Sequence, residues 1–285
     1  MKNRQWLNVG LLAAVAVLAL FAYLKPHQSE PEHRLSTLKA NDVKRLRIEI
    51  SGSPPIVLER VAAEWRLTAP VAARADNFQT QRLLAVLDAT SKDRLPAGEL
   101  ARFDLNEPHA RVTIGQQTFS FGAVNQMSRE QYLLTQDGVY LVPLRYGAAL
   151  PKNALQLVSR QLFAADEAPV AFEFKEFSLA QRDGKWVMSP AAADMSQDDI
   201  NRWIGEWRLA TALAVQAADN RTPLATIKVR LRSGSDLTLA VLQREPEFTL
   251  ARSDQPSFAY QFAGETAKRL LAPPAAQSQA TAGKR

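Results

Sequence analysis

The sequence repeats itself once. The segment Pro54–Pro70 matches the segment Lys175–Pro190, with Trp65 aligned to Trp186 and the terminal prolines aligned to each other. The offset is about 120 residues, close to the length of one ordinary small domain. Self-similarity at a fixed spacing indicates a repeated structural unit. The chain is therefore predicted to contain two tandem copies of one unit.

Each copy carries one predicted helix at this offset. Asp76 and Ser196 are favoured N-cap residues, and apolar side chains follow both at helical spacing. The expected helices are Asn77–Ala89 and Gln197–Ala210. Alternating apolar residues elsewhere predict two strands before each helix and about four after it, joined by short turns. Short turns connect antiparallel strands, so the predicted fold class is α+β, with each repeat an antiparallel sheet and one packed helix.

An uncharged run precedes the first copy. Leu7–Leu24 contains no charged residue, and a helix of this length spans about 27 Å, close to the apolar thickness of a bilayer. Lys2 and Arg4 precede it on a short tail, which favours a cytoplasmic N-terminus. We therefore expect a transmembrane helix in a single-pass protein. The alternative is a cleaved signal peptide, which would also export the rest of the chain.

The predicted organisation has six parts. They are a cytoplasmic tail and transmembrane anchor (1–25), a stalk (26–37), a first α+β repeat (38–150), a connecting helix and hinge (151–167), a second α+β repeat (168–272) and a disordered tail (273–285). The connecting helix is expected at Pro151–Phe163. The tail has no large apolar side chains that can pack against a core.

Composition and motifs argue against several classes of chemistry. The chain has no cysteine, which excludes disulfides, thiolate zinc sites and thiol nucleophiles. The net charge is +6, but basic and acidic residues are interspersed, so nucleic acid is not an expected partner. No nucleotide-binding, serine-hydrolase or zinc-protease motif is present. His109 is interpreted as a structural histidine, and Asp198 with Asp199 as complements of a helix dipole. We therefore expect no enzyme, metal site or cofactor.

Several segments resemble a known bacterial family. They are LKANDVKRLRIEI (38–50), EWRLTAPVAARAD (64–76), FDLNEPHARVTI (Phe103–Ile114) and SRQLF (Ser159–Phe163). Together they are similar to the bacterial envelope family called domain of unknown function 4340, over residues 38–163 and less sharply in the second copy. Asp104 stands where the family pattern has a glycine.

This resemblance implies a location and a class of partner. It implies a membrane-anchored extracytoplasmic protein. Together with the predicted anchor, this gives a single-pass protein of the bacterial inner membrane, with the bulk of the chain in the periplasm. Members are often encoded beside ABC-type export or gliding-associated components, so the implied partner is an inner-membrane protein complex such as an ABC-type permease. The resemblance implies no catalytic residues.

Two features are candidate contact sites. Lys228, Arg230 and Arg232 alternate with apolar residues, which places three cations on one strand face. That face is either a solvated sheet surface or a contact for lipid headgroups or an acidic partner. Trp203 and Trp207 lie one helical turn apart and either seal the core of the second copy or anchor a partner.

Two functional hypotheses from different classes follow. The first is a non-catalytic, membrane-anchored scaffold or accessory protein outside the cytoplasm, associated with an ABC-type transport system. The second is an envelope module that binds a small ligand or glycan between the repeats. A hydrolase with a scattered active site is a third hypothesis. Copurification of a permease favours the first hypothesis, and a thermal shift with an envelope metabolite favours the second.

Overall fold

The computed structural model describes residues 14–15, 17, 32–191, 195–219 and 221–274. The predicted anchor Leu7–Leu24 lies outside the described residues, except for Ala14, Val15 and Val17. Within the described residues, no helix is both long enough and apolar enough to span a bilayer. The predicted disordered tail lies outside them from residue 275 onward.

The fold is mostly β, and the predicted α+β class is wrong. Of the described residues, 42% are in β structure and 22% are helical. The strands form three antiparallel sheets, of two, nine and eight strands. The helix that follows the front strands has only 8 residues in the first copy and 12 in the second. Backbone groups are thus satisfied mainly between antiparallel strands, some joined by short turns and others, such as β2 and β8, distant in the chain.

The first half of the protein, residues 32–150, contains the two-stranded and the nine-stranded sheets. Its strands are β1 (His33–Arg34), β2 (Arg45–Ile50), β3 (Ile56–Val61), β4 (Glu64–Ala69), β5 (Ala73–Arg74), β6 (Thr90–Ser91), β7 (Arg94–Leu95), β8 (Ala110–Ile114), β9 (Gln117–Asn125), β10 (Glu130–Thr135) and β11 (Gly138–Pro143). Helix α1 spans Asn77–Leu84, and short 3-10 helices span Ala40–Asp42, Ala85–Asp88, Ala97–Phe103 and Gly147–Ala149.

The second half, residues 168–274, contains the eight-stranded sheet. Its strands are β12 (Pro169–Glu173), β13 (Ser178–Arg182), β14 (Lys185–Ser189), β15 (Ala214–Ala217), β16 (Ala225–Leu231), β17 (Asp236–Gln243), β18 (Glu247–Arg252) and β19 (Phe258–Ala263). Helix α2 spans Gln197–Arg208, and helix α3 spans Gly264–Leu271. The linker, residues 151–167, contains one 3-10 helix, Ala154–Leu157.

The two large sheets share one strand order. It is β4-β3-β2-β8-β9-β10-β11-β7 in the first half and β14-β13-β12-β16-β17-β18-β19-β15 in the second, and β5 extends only the first. In each half the helix follows the third of these strands along the chain. The repeat seen in the sequence is therefore present in the topology, although each copy has one more strand before the helix than expected and an edge strand after it.

The aligned tryptophans occupy equivalent buried places. Trp65 is 3% exposed and Trp186 is 7% exposed. The carbonyl of Trp65 accepts a hydrogen bond from the Ala75 N–H at 3.0 Å. At the same place in the second half, the Gln197 side-chain amide donates to the carbonyl of Trp186 at 2.7 Å. A side chain thus replaces the backbone neighbour that the second half lacks among its described residues.

Both predicted helices begin where the capping pattern indicated. Asp76 Oδ1 accepts from the backbone N–H of Gln79 at 3.0 Å, and Ser196 Oγ accepts from that of Asp199 at 3.1 Å. These bonds satisfy N–H groups that have no partner inside the helix. The helix ends come earlier than expected, because α1 tightens into a 3-10 helix after Leu84 and α2 ends at Arg208.

The expected stalk ends earlier than residue 37. His33 and Arg34 form β1, which pairs with β6 in the first half. Leu35 is 5% exposed, and its N–H donates to the carbonyl of Ala89 at 3.1 Å. An apolar side chain and paired backbone groups therefore draw the end of the predicted stalk into the fold.

The expected connecting helix Pro151–Phe163 is wrong beyond a single 3-10 turn. The Leu157 carbonyl accepts from Asp76 of the first half at 2.7 Å. The Leu162 N–H donates to the carbonyl of Ala210 of the second half at 2.9 Å. The linker is extended after Leu157 because its backbone bonds to both halves instead of to itself.

One core runs through both halves and the linker. A single cluster of buried apolar side chains includes members of both halves and the linker. The linker contributes Leu157, Val158, Leu162 and Phe163 to this cluster. The two halves are therefore packed as one body, with the linker between them.

The glycine position of the family pattern has a left-handed backbone. Asp104 has φ 53° and ψ 37°, and its N–H closes the preceding 3-10 turn. Aspartate tolerates this conformation better than most residues with a Cβ. Close by, a Cβ at Gly122 would lie 2.2 Å from the carbonyl oxygen of Phe103. Asp104 therefore adopts the turn conformation that the family pattern assigns to glycine. The absence of a side chain at Gly122 on β9 leaves room for the Phe103 carbonyl of this turn.

Candidate functional site

The three predicted cations lie on β16 and in the turn after it. Lys228 Nζ is 3.0 Å from Glu173 Oε1, and Arg230 donates two hydrogen bonds to Asp236, at 2.8 and 3.2 Å. The Arg230 guanidinium holds the pKa of the Asp236 carboxyl below its usual value. Arg232 is exposed in the turn. Two of the three positive charges are paired with carboxylates, which weakens the attraction of this face for anionic headgroups.

Trp203 and Trp207 are core residues. They are 1% and 0% exposed, and each ring centroid lies 5.4 Å from that of Phe172. The indole N–H of Trp203 donates to the carbonyl of Ala272 at 2.9 Å, and that of Trp207 to the carbonyl of Leu270 at 3.2 Å. Carbonyls at a helix end lack intrahelical partners, so the indoles cap α3. The hypothesis that these tryptophans anchor a partner is wrong, because both rings are already buried.

Helix α3 lies in a stretch of the second repeat for which the sequence predicted no separate element. Ala267 and Leu270 are its buried side chains. The helix packs beside α2 and β18. It therefore supplies the carbonyl groups that the two buried indoles need.

The other polar residues considered in the sequence, His109, Asp198 and Asp199, do not lie together in one site. His109 is exposed and lines an open hollow with Glu107. Asp198 is exposed at the start of α2, and Asp199 bonds through its N–H and carboxylate to Ser196. In the part of the chain that the structure describes, no three His, Cys, Asp or Glu side chains are grouped as metal ligands would be.

A buried arginine of the second half holds the linker. The side chain of Arg252 on β18 is 1% exposed. Its guanidinium donates to both carboxylate oxygens of Glu167, at 2.9 and 2.7 Å, and to Asp254 at 3.0 and 2.8 Å. It also bonds to the carbonyl of Leu162 and lies 5.8 Å from the ring centroid of Phe163. Charge-assisted pairs of this bidentate kind are strong and directional.

An arginine of the first half reaches the same stretch of linker. Arg74 Nη2 donates to the carbonyl of Gln161 at 2.8 Å and is 3.4 Å from that of Leu162. The Leu162 carbonyl therefore lies between Arg74 and Arg252, one from each half. This arrangement fixes the linker at the place where the two sheets meet.

These contacts predict an acid-sensitive stability. Burial alone would raise the pKa of Glu167, but hydrogen bonds from Arg252 and Ala164 and the charges of Arg252 and Arg74 outweigh it and hold the pKa below 4.5. A carboxyl with a lower pKa when folded stabilises the fold above its unfolded pKa and loses that contribution as the pH falls through the folded pKa. We expect the free energy of unfolding, measured in urea, to drop as the pH falls below 4.5.

The variant Glu167→Gln isolates this contribution. It should be less stable than the wild type at neutral pH, and its stability should depend less on pH below 4.5. Glu173→Gln, at an exposed ion pair, is the matched control and should keep the wild-type dependence. Identical acid profiles for the wild type and Glu167→Gln would contradict the assignment.

A cleft of about 380 Å³ opens between the halves. We call it the inter-half cleft; its walls come from α1, the segment after β11, the linker and the start of β15. Its polar lining side chains are Gln79, Arg82, Gln156 and Arg160. The cleft has the size of a site for a small molecule.

Sequence reasoning did not identify the arginines of this cleft. Arg82 lies within the predicted helix Asn77–Ala89 and carries no signal of its own, and Arg160 lies in the expected connecting helix, which does not form. The extended linker brings Arg160 beside α1, where its Nε lies 3.7 Å from Asp76 Oδ2. No local pattern signals such a meeting, because it depends on packing between the copies.

Comparison with known families gives one match. The model of the family described as Domain of unknown function (DUF4340) matches residues 65–204, from β4 through the linker into α2. Three of the four resembling segments lie in or overlap this range, and the segment 38–50 lies outside it. No curated protein and no solved structure matches the chain. Residues 65–204 of this chain therefore match the DUF4340 family, in agreement with the resemblance seen in the sequence.

Proposed function

We propose that this protein is a non-catalytic accessory protein of the bacterial envelope that holds a membrane partner as a rigid scaffold. The observation that carries this proposal is the continuous core through both halves and the linker. Domains in one chain move relative to each other unless their interface is large and apolar. Here the linker contributes apolar side chains to the core and is hydrogen-bonded to both halves, which favours a fixed shape over a closing one.

The titration behaviour of the described residues also supports a structural role. Displaced pKa values often mark catalytic sites. In the described part of the chain, each clearly displaced group except buried Tyr260 belongs to an ion pair. The most deeply buried of these pairs, Arg252 with Glu167, joins the second half to the linker. These shifts are accounted for by ion pairing and burial without a catalytic centre.

The location and the partner rest on the sequence. The uncharged run Leu7–Leu24, after Lys2 and Arg4, favours attachment to the inner membrane with the two halves in the periplasm. The family resemblance suggests an ABC-type permease as the partner. The scaffold would then hold that permease from the periplasmic side.

Crosslinking in intact cells tests this proposal. A full-length chain with a C-terminal affinity tag should remain with membranes after high-salt washing and be cleaved by protease only when the outer membrane is opened. Mild crosslinking followed by purification should recover an ABC-type permease, which an unrelated tagged periplasmic protein should not recover. Release into the cytoplasmic fraction would overturn the location, and repeated absence of a permease would overturn the partner.

The inter-half cleft favours a second candidate function. A preformed cavity of about 380 Å³ lies where a ligand-binding module of two repeats would hold its ligand. In this function the protein binds an envelope metabolite or glycan in the cleft. A ligand-dependent rise in the thermal unfolding temperature of the full chain supports it, and an unchanged temperature across such ligands contradicts it.

A further inference from the structure

We propose that the inter-half cleft binds a small organic anion, with its carboxylate or phosphate group on Arg82 and Arg160 and its apolar part on Leu213 and Val215. This inference rests on the second candidate function, the ligand-binding cleft, and names the chemical class of its ligand. The four side chains line the cleft together, although they come from α1, the linker and the segment that enters β15.

The charges around the cleft favour a ligand of negative charge. Its lining contains two arginines and two glutamines and no carboxylate. The nearby carboxylate of Asp76 is 3.7 Å from Arg160 Nε, too far for a hydrogen bond, and it also caps α1. The two positive charges of Arg82 and Arg160 therefore have only one carboxylate nearby, that of Asp76, and this carboxylate also caps α1. An anion is favoured because its charge would complete this balance.

Other hollows on the described surface lack this pattern. The hollow on the β16 face includes Glu173 and Asp236, which pair with its cations. The hollow beside His109 includes Glu107, and the one beside the end of α2 includes Glu167. Each of these three surfaces already carries its own carboxylate. The inter-half cleft differs from them because its polar lining side chains are all arginine or glutamine.

The donors of the cleft are only partly used within the protein. Arg82 donates to Gln79 Oε1 at 3.2 Å and to the carbonyl of Ala148 at 3.4 Å, both long bonds. A guanidinium has five N–H groups in a planar fork that matches carboxylate and phosphate oxygens. Arg160 has a distant ion pair to Asp76. Both guanidiniums therefore keep N–H groups that a ligand can use.

The apolar wall of the cleft favours ligands that carry an apolar group beside the anionic one. Leu213 is a large apolar side chain that is 61% exposed where it lines the cleft. Val215 follows it on β15 and lines the same cleft, together with Leu155 of the linker. A ligand with a short apolar part would cover these side chains and remove them from water. Inorganic phosphate has no such part and would use only the charged end of the cleft.

The cleft is held open by contacts on both sides of the linker. The Asp76 N–H bonds to the carbonyl of Leu157 at 2.7 Å, and the Ala212 N–H bonds to the carbonyl of Arg160 at 2.8 Å. The wall from the first half and the wall from the second half are thus both tied to the segment that carries Arg160. Binding to such a prearranged site loses little free energy to ordering.

The test uses matched soluble probes on the full-length chain. Benzoate and phenyl phosphate carry the proposed anionic group and an apolar ring, benzyl alcohol is the neutral counterpart, and inorganic phosphate lacks the ring. Affinities are measured by calorimetric titration. At least one aromatic anion should bind at least tenfold more tightly than benzyl alcohol and than inorganic phosphate.

Two double variants of equal charge change locate the site. Arg82→Gln with Arg160→Gln should weaken binding of the aromatic anion at least tenfold. Arg182→Gln with Arg232→Gln, at exposed positions outside the cleft, should leave it unchanged. Leu213→Ser should weaken aromatic anions but not inorganic phosphate. All four arginines are exposed, and unchanged circular dichroism and unfolding temperatures show that the variants fold.

The possible outcomes separate the inference from the function on which it rests. If benzyl alcohol and benzoate bind with equal affinity and both lose affinity in Leu213→Ser, the cleft binds ligands but does not select anions. This result would support the ligand-binding function and overturn the proposed anionic ligand. Tight anion binding that survives in the Arg82→Gln, Arg160→Gln variant would place the site elsewhere and overturn the inference. Saturable binding of none of these probes would overturn the anion inference, while a thermal shift with a neutral glycan would still support the ligand-binding function.

Discussion

Replacing Trp207 with alanine is expected to lower the free energy of unfolding by about 3 to 5 kcal/mol, a large part of the stability of a typical domain. The ring is fully buried against Phe172 and Trp203, so the substitution leaves a cavity. It also removes the hydrogen bond to the carbonyl of Leu270 at the end of α3. Urea unfolding of the full-length chain, followed by far-ultraviolet circular dichroism, measures the loss.

Two further variants divide this loss into its causes. Trp207→Phe keeps much of the ring volume and removes the indole N–H, so it should cost less than the alanine variant. Leu209→Ala, two residues away and 81% exposed in the wild type, should change stability by less than about 0.5 kcal/mol. A Trp207→Ala protein as stable as the Leu209→Ala protein would disprove the core assignment.

Replacing Arg252 with methionine is expected to cost about 3 to 5 kcal/mol, because removal of one partner leaves a buried charge unpaired. Glu167, whose side chain is 21% exposed, loses two hydrogen bonds in this variant. The Leu162 carbonyl loses one of the two arginines beside it. Urea unfolding and protease sensitivity of the linker measure the effect, and both should change together.

A double variant and a surface pair provide the controls. Adding Glu167→Gln to Arg252→Met removes the unpaired charge and should recover part of the lost stability. Arg230→Met breaks a bidentate pair of similar geometry with Asp236, but both side chains are largely exposed. Its stability should stay close to that of the wild type. Equal losses for Arg252→Met and Arg230→Met would show that burial does not decide the strength of the linker contact.

The candidate contact sites show how local signals mislead. The alternation of Lys228, Arg230 and Arg232 correctly placed cations on a strand, but it carried no information about Glu173, which comes from β12. The spacing of Trp203 and Trp207 allowed either a core or a docking role. Only the packing of Phe172 and of α3 against them decided for the core.

The fold class was mispredicted for a related reason. Strands such as β5 and β7 have two residues each, too few to show an alternating pattern. Residues 157–163 of the linker, LVSRQLF, show no strand-like alternation of apolar and polar side chains. Their extended form depends on hydrogen bonds with Asp76 and Ala210. A segment whose backbone partners lie far away along the chain has no local sequence pattern that predicts its structure. The linker was therefore predicted to be a helix.

The sequence by itself determined the repeat and the starts of its helices. Trp65 and Trp186 recur at one spacing because each fills the same place in its copy, and Asp76 and Ser196 cap a helix with atoms only three residues away. Tertiary structure alone decided the meeting of Arg74 and Arg252 at the linker and the cleft between the copies. Capping and burial patterns depend on near neighbours in the chain, whereas contacts between the halves depend on how two finished sheets pack against one shared segment.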